Sequence, residues 1–265
     1  MDQNELIDKI TKEVMQRLNQ EIATRSNKTG DPVTRSSPAP RISAAELAGY
    51  IDHTLLKPEA VVFQFEQLCN EAVKYKFMSV CVNSSWIPFV AKRLRGTSVK
   101  VCSVIGFPLG EMDTRSKAFE ARNAVANGAT ELDMVINVGA LKSGNVKLVE
   151  EDIRAIKRAC RSTTILKVIL ETGLLTDEEK IIACEISKKA GADFVKTSTG
   201  FSGTGATIHD VALMRRIVGP AMGVKASGGI RNFDQAVALI NAGANRLGCG
   251  ASVDVVTGAE SKGTY

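Results

Sequence analysis

From residue 42 onward the chain repeats one unit eight times: an apolar run of strand length, a turn, and a stretch with helical spacing. The strand-like runs cover residues 50–53, 78–83, 100–106, 131–138, 165–171, 193–198, 223–227 and 246–248. Helical spacing of apolar residues is found between them, over residues 62–75, 113–127, 146–160, 177–190, 208–218 and 233–241. Three of these stretches end in a Gly-Ala pair, at Gly128, Gly191 and Gly243, which is typical of a helix that stops before the next strand.

Eight alternating units predict an α/β fold, a single closed (β/α)8 TIM barrel over residues 42–257. The alternative is a doubly wound open sheet, but the first strand is not followed by the Gly-x-Gly-x-x-Gly turn expected there. In a barrel of this kind the functional side chains lie at the carboxyl ends of the strands. We therefore look for reactive residues at those positions.

The composition changes near residue 41. Residues 1–20 have the apolar spacing of a short amphipathic helix, and residues 21–41, rich in Ser, Thr, Asn, Gly and Pro, are typical of a flexible linker. Residues 258–265 are predicted to form a flexible tail that ends in Tyr265. Residues 1–40 carry six acids and six bases and lack the long apolar run of a signal peptide, so a secretory or mitochondrial leader is disfavoured.

Composition excludes several other classes of protein. The chain is 44% hydrophobic, and its sequence contains no apolar run long enough to cross a bilayer. Six cysteines without a Cys-x-x-Cys pair and only two histidines argue against a disulfide framework and against a zinc site. A net charge of +5 does not require a nucleic-acid partner and suits a phosphorylated small molecule equally well. We expect an intracellular enzyme without a metal or cofactor.

Two lysines, Lys196 and Lys225, lie inside runs that otherwise resemble buried strands. An ammonium group is rarely buried unless it is paired or needed for chemistry. A lysine attacks a carbonyl only as the neutral amine, and a second cation nearby lowers its pKa. Neighbouring strands lie about 4.8 Å apart, so the two side chains can interact directly. The pattern predicts an amine nucleophile with a pKa-lowering neighbour.

Strand periodicity adds carboxylates to this group. In the fourth strand Asp133 shares a face with Glu131 and Asn137, because alternate residues point the same way. In the fifth strand Lys167 shares a face with Glu171, which predicts a structural ion pair between them. His53 is interpreted as a structural hydrogen-bonding residue rather than a base.

Seven motifs resemble those of class I deoxyribose-phosphate aldolase, in the order of that family and across essentially all of residues 42–257. They are Ile51-Asp-His-Thr-Leu-Leu-Lys-Pro58, Cys81-Val-Asn83, Ile105-Gly-Phe-Pro-Leu-Gly110, Glu131-Leu-Asp-Met-Val-Ile-Asn-Val-Gly139, Leu166-Lys-Val-Ile-Leu-Glu-Thr172, Phe194-Val-Lys-Thr-Ser-Thr-Gly-Phe201 and Val224-Lys-Ala-Ser-Gly-Gly-Ile-Arg231. The resemblance implies metal-free cleavage of 2-deoxy-D-ribose 5-phosphate to glyceraldehyde 3-phosphate and acetaldehyde.

The resemblance also implies roles for individual residues. Lys196 would form the Schiff base, Lys225 would lower the pKa of Lys196, Asp133 would relay protons, and Tyr265 would assist enamine protonation. The implied substrate contacts are Asp52, Thr54, Cys81, Lys167 and Thr199. The implied phosphate contacts are Gly200, Gly228, Gly229, Arg231, Gly248 and Gly250. The family usually has a Ser after its eighth strand where this chain has Gly250, so we expect weaker phosphate affinity.

Other functions remain open at this point. A different Schiff-base barrel aldolase would need its lysine partnered differently, and a catalytically silent barrel could serve as cargo or scaffold. The helix of residues 1–20 is similar to encapsulation peptides of bacterial microcompartments, the alternatives being an oligomerisation helix or a membrane-surface helix. The expected partners are small phosphorylated aldehydes and sugars, a second copy in a homodimer, and a shell protein, with no nucleic acid and no membrane. The expected location is the cytoplasm, in a microcompartment lumen.

Overall fold

The computed structural model describes residues 42–259. The strands are β1 (Ile51–Leu55), β2 (Ser79–Val82), β3 (Lys100–Ile105), β4 (Glu131–Val135), β5 (Ile165–Ile169), β6 (Phe194–Lys196), β7 (Gly223–Ser227) and β8 (Arg246–Cys249). The helices are α1 (Ala44–Ala48), α2 (Val62–Tyr75), α3 (Ile87–Arg93), α4 (Thr114–Ala126), α5 (Val138–Lys142), α6 (Val146–Ala159), α7 (Asp177–Lys189), α8 (Ile208–Val218), α9 (Phe233–Asn241) and α10 (Ser252–Thr257).

The eight strands form one closed parallel barrel in chain order, and β8 pairs with β1 through Ile51 and Leu247. This confirms the predicted (β/α)8 TIM barrel. Parallel strands covered by helices are buried on both faces, and every residue of β2, β4 and β7 is buried. Among the described residues, none of the helices combines the length and apolar character needed to cross a membrane.

Local sequence explains where the helices begin and end. α7 starts with a capping box, in which the Thr176 side chain accepts from the Glu179 amide and the Glu179 side chain accepts from the Thr176 amide. Gly128, Gly191 and Gly243 have φ values of 111°, 84° and 117°, as expected for glycines that follow a helix. The predicted glycine stops are therefore confirmed.

The element boundaries differ from the predicted ones in two strands near the site. β4 ends at Val135 because Asn137 caps α5, its side chain accepting from the Ala140 amide. Asn137 therefore does not continue the face of Asp133, as the strand periodicity had suggested. β6 ends at Lys196, so Ser198 lies beyond the strand. The short helices α1, α3, α5 and α10 were not predicted.

Three features predicted from the sequence lie outside the described residues. They are the helix of residues 1–20, the linker of residues 21–41 and the C-terminal Tyr265.

Candidate active site

The barrel interior contains an ionic cluster centred on Asp133 of β4. One oxygen of Asp133, Oδ2, lies 2.8 Å from Nζ of Lys196 and 2.7 Å from Nζ of Lys225. Its other oxygen, Oδ1, lies 2.8 Å from Nζ of Lys167. The strand register produces this arrangement, because Asp133 is directly opposite Lys167 on β5 and Lys196 is directly opposite Lys225 on β7. The predicted lysine pair is thus joined by a shared carboxylate oxygen.

Electrostatics keep Asp133 ionised. Burial by itself would raise the pKa of this carboxyl, but the ammonium groups of Lys167, Lys196 and Lys225 outweigh burial and hold the pKa well below its ordinary value. Asp133 is therefore a charged carboxylate in the resting site.

Lys225 and Lys167 are fixed cations. Burial favours their neutral forms, but the carboxylates of Asp133 and Asp52 prevail at Lys225 and raise its pKa. At Lys167 burial is likewise outweighed, by Asp133, Cys102, Glu131 and Asp52, and the pKa is raised well above its ordinary value. Both ammonium groups are 0% exposed, which leaves no open approach to them.

Lys196 is more exposed than the other two lysines and pairs with fewer carboxylates. Among the described residues it pairs with one carboxylate, whereas Lys225 pairs with two and Lys167 with three. It is also the only one of the three with measurable exposure, 3%. The lysine least held by carboxylates is therefore the one that a substrate can reach.

A second set of charged groups supports the cluster from β1, β4 and β8. Asp52 binds Lys225 through Oδ2 at 2.5 Å, while its Oδ1 accepts from Ser79 and from Arg246, both at 2.7 Å. Arg246 also bridges to Glu131. The oxygens of Asp52 are thus engaged inside the protein, and the expected contact of this residue with a substrate hydroxyl stays a prediction.

Sequence reasoning missed Arg246 as a member of the site. The signal was present, since Arg246 is a basic residue inside a buried strand, as Lys196 and Lys225 are. Together the cluster has four basic groups, Lys167, Lys196, Lys225 and Arg246, against three carboxylates.

The predicted ion pair between Lys167 and Glu171 is wrong. Lys167 pairs instead with Glu131 at 2.6 Å and with Asp133. β5 ends at Ile169 and Glu171 has a left-handed backbone with φ of 58°, so the strand periodicity does not extend to it. Glu171 accepts hydrogen bonds from the amide and the hydroxyl of Thr199, which engages Thr199 within the protein.

Cys81 lies in an apolar wall of the cluster. It packs with Leu56, Cys102 and Val104, and the half-buried Phe107 covers them. The thiol of Cys102 donates to Asp133 at 3.2 Å. Cys81, Cys102 and Asp133 bring possible metal-ligand atoms within 4.8 Å of one another, but Asp133 is already bound by three ammonium groups that a metal ion would have to displace.

A cavity of about 290 Å³ opens at the carboxyl ends of β1, β7 and β8. Three of the predicted phosphate contacts line it, Gly229, Arg231 and Gly250. Its other lining residues are Thr54, Leu55, Leu56, Lys57, Ile230, Ala251 and Asp254. Thr54, a predicted substrate contact, therefore faces this cavity, and Lys57 is a basic group that sequence reasoning did not single out.

The remaining predicted phosphate contacts are placed elsewhere. Gly248 lies inside β8, where a Cβ atom would come within 2.8 Å of Ser227 and 3.2 Å of the Lys225 side chain. It makes room for Lys225 rather than lining the cavity. Gly228 and Gly200 have positive φ, and a Cβ on Gly228 would lie 3.4 Å from the Cα of Gly200, so the two glycines pack against each other.

Fold and site together define a class: a barrel enzyme with a reachable lysine beside a buried, ionised carboxylate, suited to amine chemistry on a carbonyl. The family model for DeoC/LacD family aldolase matches residues 47–255, and the chain belongs to this family. It is thus an aldolase, a lyase.

Several named relatives are similar over the barrel. A deoxyribose-phosphate aldolase of Streptococcus gordonii is 58% identical over 83% of this chain and 100% of its own length. One from Brevibacillus brevis is 59% identical over 81% of this chain and 97% of its own. The solved structure of the Aeropyrum pernix deoxyribose phosphate aldolase, described as tetrameric, has a TM-score of 0.76 and 37% identity, and the match covers 81% of this chain and 91% of that one.

Proposed function

We propose that the chain is a deoxyribose-phosphate aldolase, which cleaves 2-deoxy-D-ribose 5-phosphate reversibly to D-glyceraldehyde 3-phosphate and acetaldehyde. The observation that carries the proposal is the shared carboxylate: Asp133 holds Lys196 beside the fixed cation Lys225, and Lys196 alone of the three lysines is reachable. The curated relatives of the same name support the choice of substrate. A silent scaffold has no comparable support.

The chemistry follows from the positions of these groups. Neutral Lys196 adds to the C1 aldehyde of the open-chain sugar, and the resulting carbinolamine takes up one proton and loses water to give a protonated imine. The imine accepts the electron pair of the C2–C3 bond when a base removes the proton of the C3 hydroxyl, which releases glyceraldehyde 3-phosphate. Protonation and hydrolysis of the remaining enamine release acetaldehyde. Asp133 is the proposed base and later the proton donor, directly or through water.

The phosphate group is assigned to the cavity lined by Gly229, Arg231 and Gly250. Lys57 and Arg231 supply positive charge there, and Asp254 supplies one negative charge that reduces it. The backbone of the two glycines can approach a phosphate closely because they carry no side chain. The absence of a hydroxyl at Gly250 supports the expected weaker affinity.

Borohydride trapping tests the proposal. We expect incubation with acetaldehyde and sodium borohydride to add one ethyl group to Lys196, seen by peptide mass spectrometry, and deoxyribose 5-phosphate to yield acetaldehyde in a coupled assay. Trapping at a different lysine, or labelling without any cleavage of the phosphorylated sugar, would contradict the proposal.

The role of Lys225 predicts a change in the pH dependence. Lys225→Leu removes the cation beside Lys196, so we expect activity near neutral pH to fall by about a hundredfold and to recover partly at higher pH. Lys225→Arg retains the charge and serves as the control. The measurement is kcat/KM against pH, and a Leu variant with an unchanged profile would show that the two lysines are not coupled.

We infer that residues 1–20 direct the enzyme into a bacterial microcompartment, whose cytoplasmic shell would retain the volatile product acetaldehyde. The support is the amphipathic pattern of this segment and the linker composition that follows it. A short helix with an exposed apolar stripe needs a partner surface, which a shell protein would supply.

Deletion and fusion test this inference separately. We expect a fluorescent protein carrying residues 1–20 to co-localise with shells, and deletion of residues 1–40 to leave kcat/KM within about twofold, because the barrel provides the proposed site. Diffuse fluorescence in shell-producing cells would reject targeting. Loss of activity on deletion would place the segment in the catalytic assembly instead.

We also infer that two copies associate as a homodimer. Leu109 and Phe119, on the segment that joins β3 to α4 and on α4 itself, are 73% and 66% exposed, and large apolar side chains are covered in stable assemblies. The tetrameric Aeropyrum pernix relative supports association in this family. Light scattering with Phe119→Glu compared with the wild-type chain would reveal the mass and any dissociation.

A further inference from the structure

His53 joins three elements on the helix-facing side of β1. Its Nδ1 lies 2.9 Å from Oγ of Ser252, the first residue of α10, and its Nε2 lies 2.8 Å from Oε2 of Glu71 on α2. His53 stands between Asp52 and Thr54, whose side chains project to the opposite face because strand residues alternate. Asp52 belongs to the ionic cluster and Thr54 to the phosphate cavity.

Both hydrogen bonds of the ring are to groups that have a second partner. Oγ of Ser252 lies 2.9 Å from Nδ1 of His53 and also 2.9 Å from the carbonyl oxygen of Cys249, the last residue of β8. A carboxylate only accepts, so Nε2 donates to Glu71. Gln67 holds the other oxygen of Glu71 at 2.7 Å.

Ser252, His53 and Glu71 are linked by hydrogen bonds, as in a catalytic triad, but this geometry does not make Ser252 a nucleophile. The hydroxyl of Ser252 also lies within hydrogen-bond distance of the backbone carbonyl of Cys249, and its side chain is 0% exposed, so a substrate cannot reach it. Activation of a serine requires that its proton pass to the base. The contact therefore has a positional rather than a nucleophilic role.

His53 joins two walls of the phosphate cavity, one on β1 and one at the turn from β8 to α10. Thr54 follows His53 on β1, and Gly250 and Ala251 immediately precede Ser252 at the turn from β8 to α10. We propose that His53 is a positioning residue for phosphate recognition, which holds the β8–α10 turn against β1 through Ser252. The inference rests on the proposed function, because it takes the cavity as the phosphate site.

Kinetics with and without the phosphate group test the role of His53. His53→Phe keeps a ring against Phe77, whose centroid is 5.1 Å away, and removes the hydrogen bonds to Ser252 and Glu71. We expect KM for deoxyribose 5-phosphate and the inhibition constant of inorganic phosphate to rise about tenfold, the effect typical of one lost hydrogen bond to a charged group. The kcat for this substrate and kcat/KM for unphosphorylated deoxyribose should stay within about twofold.

Two further variants make the test specific. Ser252→Ala should raise the same two constants, and the double variant should be no worse than His53→Phe alone, because both substitutions remove the contact between His53 and Ser252. His209→Phe is the matched control, since His209 is the other histidine and is exposed on α8, paired with Asp177. It should change none of these values.

The outcomes separate this inference from the proposed function. Equal losses with both sugars would make His53 merely structural and overturn the inference, as would unchanged phosphate inhibition. If His53→Phe does not fold, Glu71→Gln is the variant to test, because it keeps the imidazole ring and weakens its support. It should raise the inhibition constant of inorganic phosphate about threefold. An unchanged inhibition constant in Glu71→Gln would overturn the inference. A wild-type chain that cleaves neither sugar would refute the proposed function itself.

Discussion

Replacement of Lys196 by arginine should abolish aldol cleavage, with a loss on the order of 10⁴-fold or more in kcat. A guanidinium group is always charged, so it cannot add to an aldehyde as a neutral amine. The positive charge beside Asp133 is retained, so the ion pair that holds the cluster can persist. The coupled acetaldehyde assay measures the rate, and circular dichroism measures the fold.

A matched control distinguishes chemistry from charge. Lys180 on α7 is also largely buried and paired with two carboxylates, Asp177 and Asp210, but lies outside the cluster. Lys180→Arg should therefore retain activity. Turnover retained in Lys196→Arg, or ethyl labelling by borohydride in that variant, would refute the Schiff-base assignment.

The second large effect is expected for Asp133→Asn. This substitution removes the carboxylate that three ammonium groups share, so proton transfer should slow by about 10²- to 10⁴-fold. Breaking a buried ion pair from one side also costs about 3–5 kcal/mol of unfolding free energy. Borohydride should still label Lys196, because the amine remains in place. Failure to label would mean that Asp133 is needed for imine formation itself.

The same variant predicts a dependence of stability on pH. The pKa of Asp133 in the folded protein is held well below the ordinary value of 3.8. A carboxyl with a lowered pKa contributes stability above its unfolded pKa and loses that contribution as pH falls through the folded pKa. The difference in unfolding free energy between wild type and Asp133→Asn should therefore be full near pH 6 and shrink below about pH 4. A difference that grows on acidification would contradict this account.

Barrel topology and the main reactive groups could be predicted from the sequence because they depend on regular patterns. Alternating strand and helix units specified the fold, and lysines within apolar strands pointed to Lys196 and Lys225. Regular patterns cease where a strand ends, and there the predictions failed. Lys167 was assigned to Glu171 by periodicity, but β5 had already ended at Ile169. Its partners Asp133 and Glu131 come from the neighbouring strand β4, and the register of β4 against β5 determines that contact.

The phosphate site could likewise be predicted only in part from the sequence. Glycines can be located in a sequence, but whether they line a cavity or make room for a neighbour depends on the packing of adjacent strands. Gly229 and Gly250 line the cavity, whereas Gly248 accommodates Lys225. The place of Arg246 inside a buried strand was visible in the sequence, but its partner was not, because the register of β8 against β1 brings it to Asp52.

Gly248 also limits how this enzyme can be redesigned. A Cβ atom there would clash with Ser227 on β7 and press against the end of the Lys225 side chain, the cation beside Lys196, so a larger residue at 248 would disturb the cluster. The turn that starts at Gly250 is two residues further along and lines the cavity instead. Substrate range can therefore be varied by substitutions from residue 250 onward while residue 248 is kept as glycine, which separates the choice of substrate from the reactivity of the lysine.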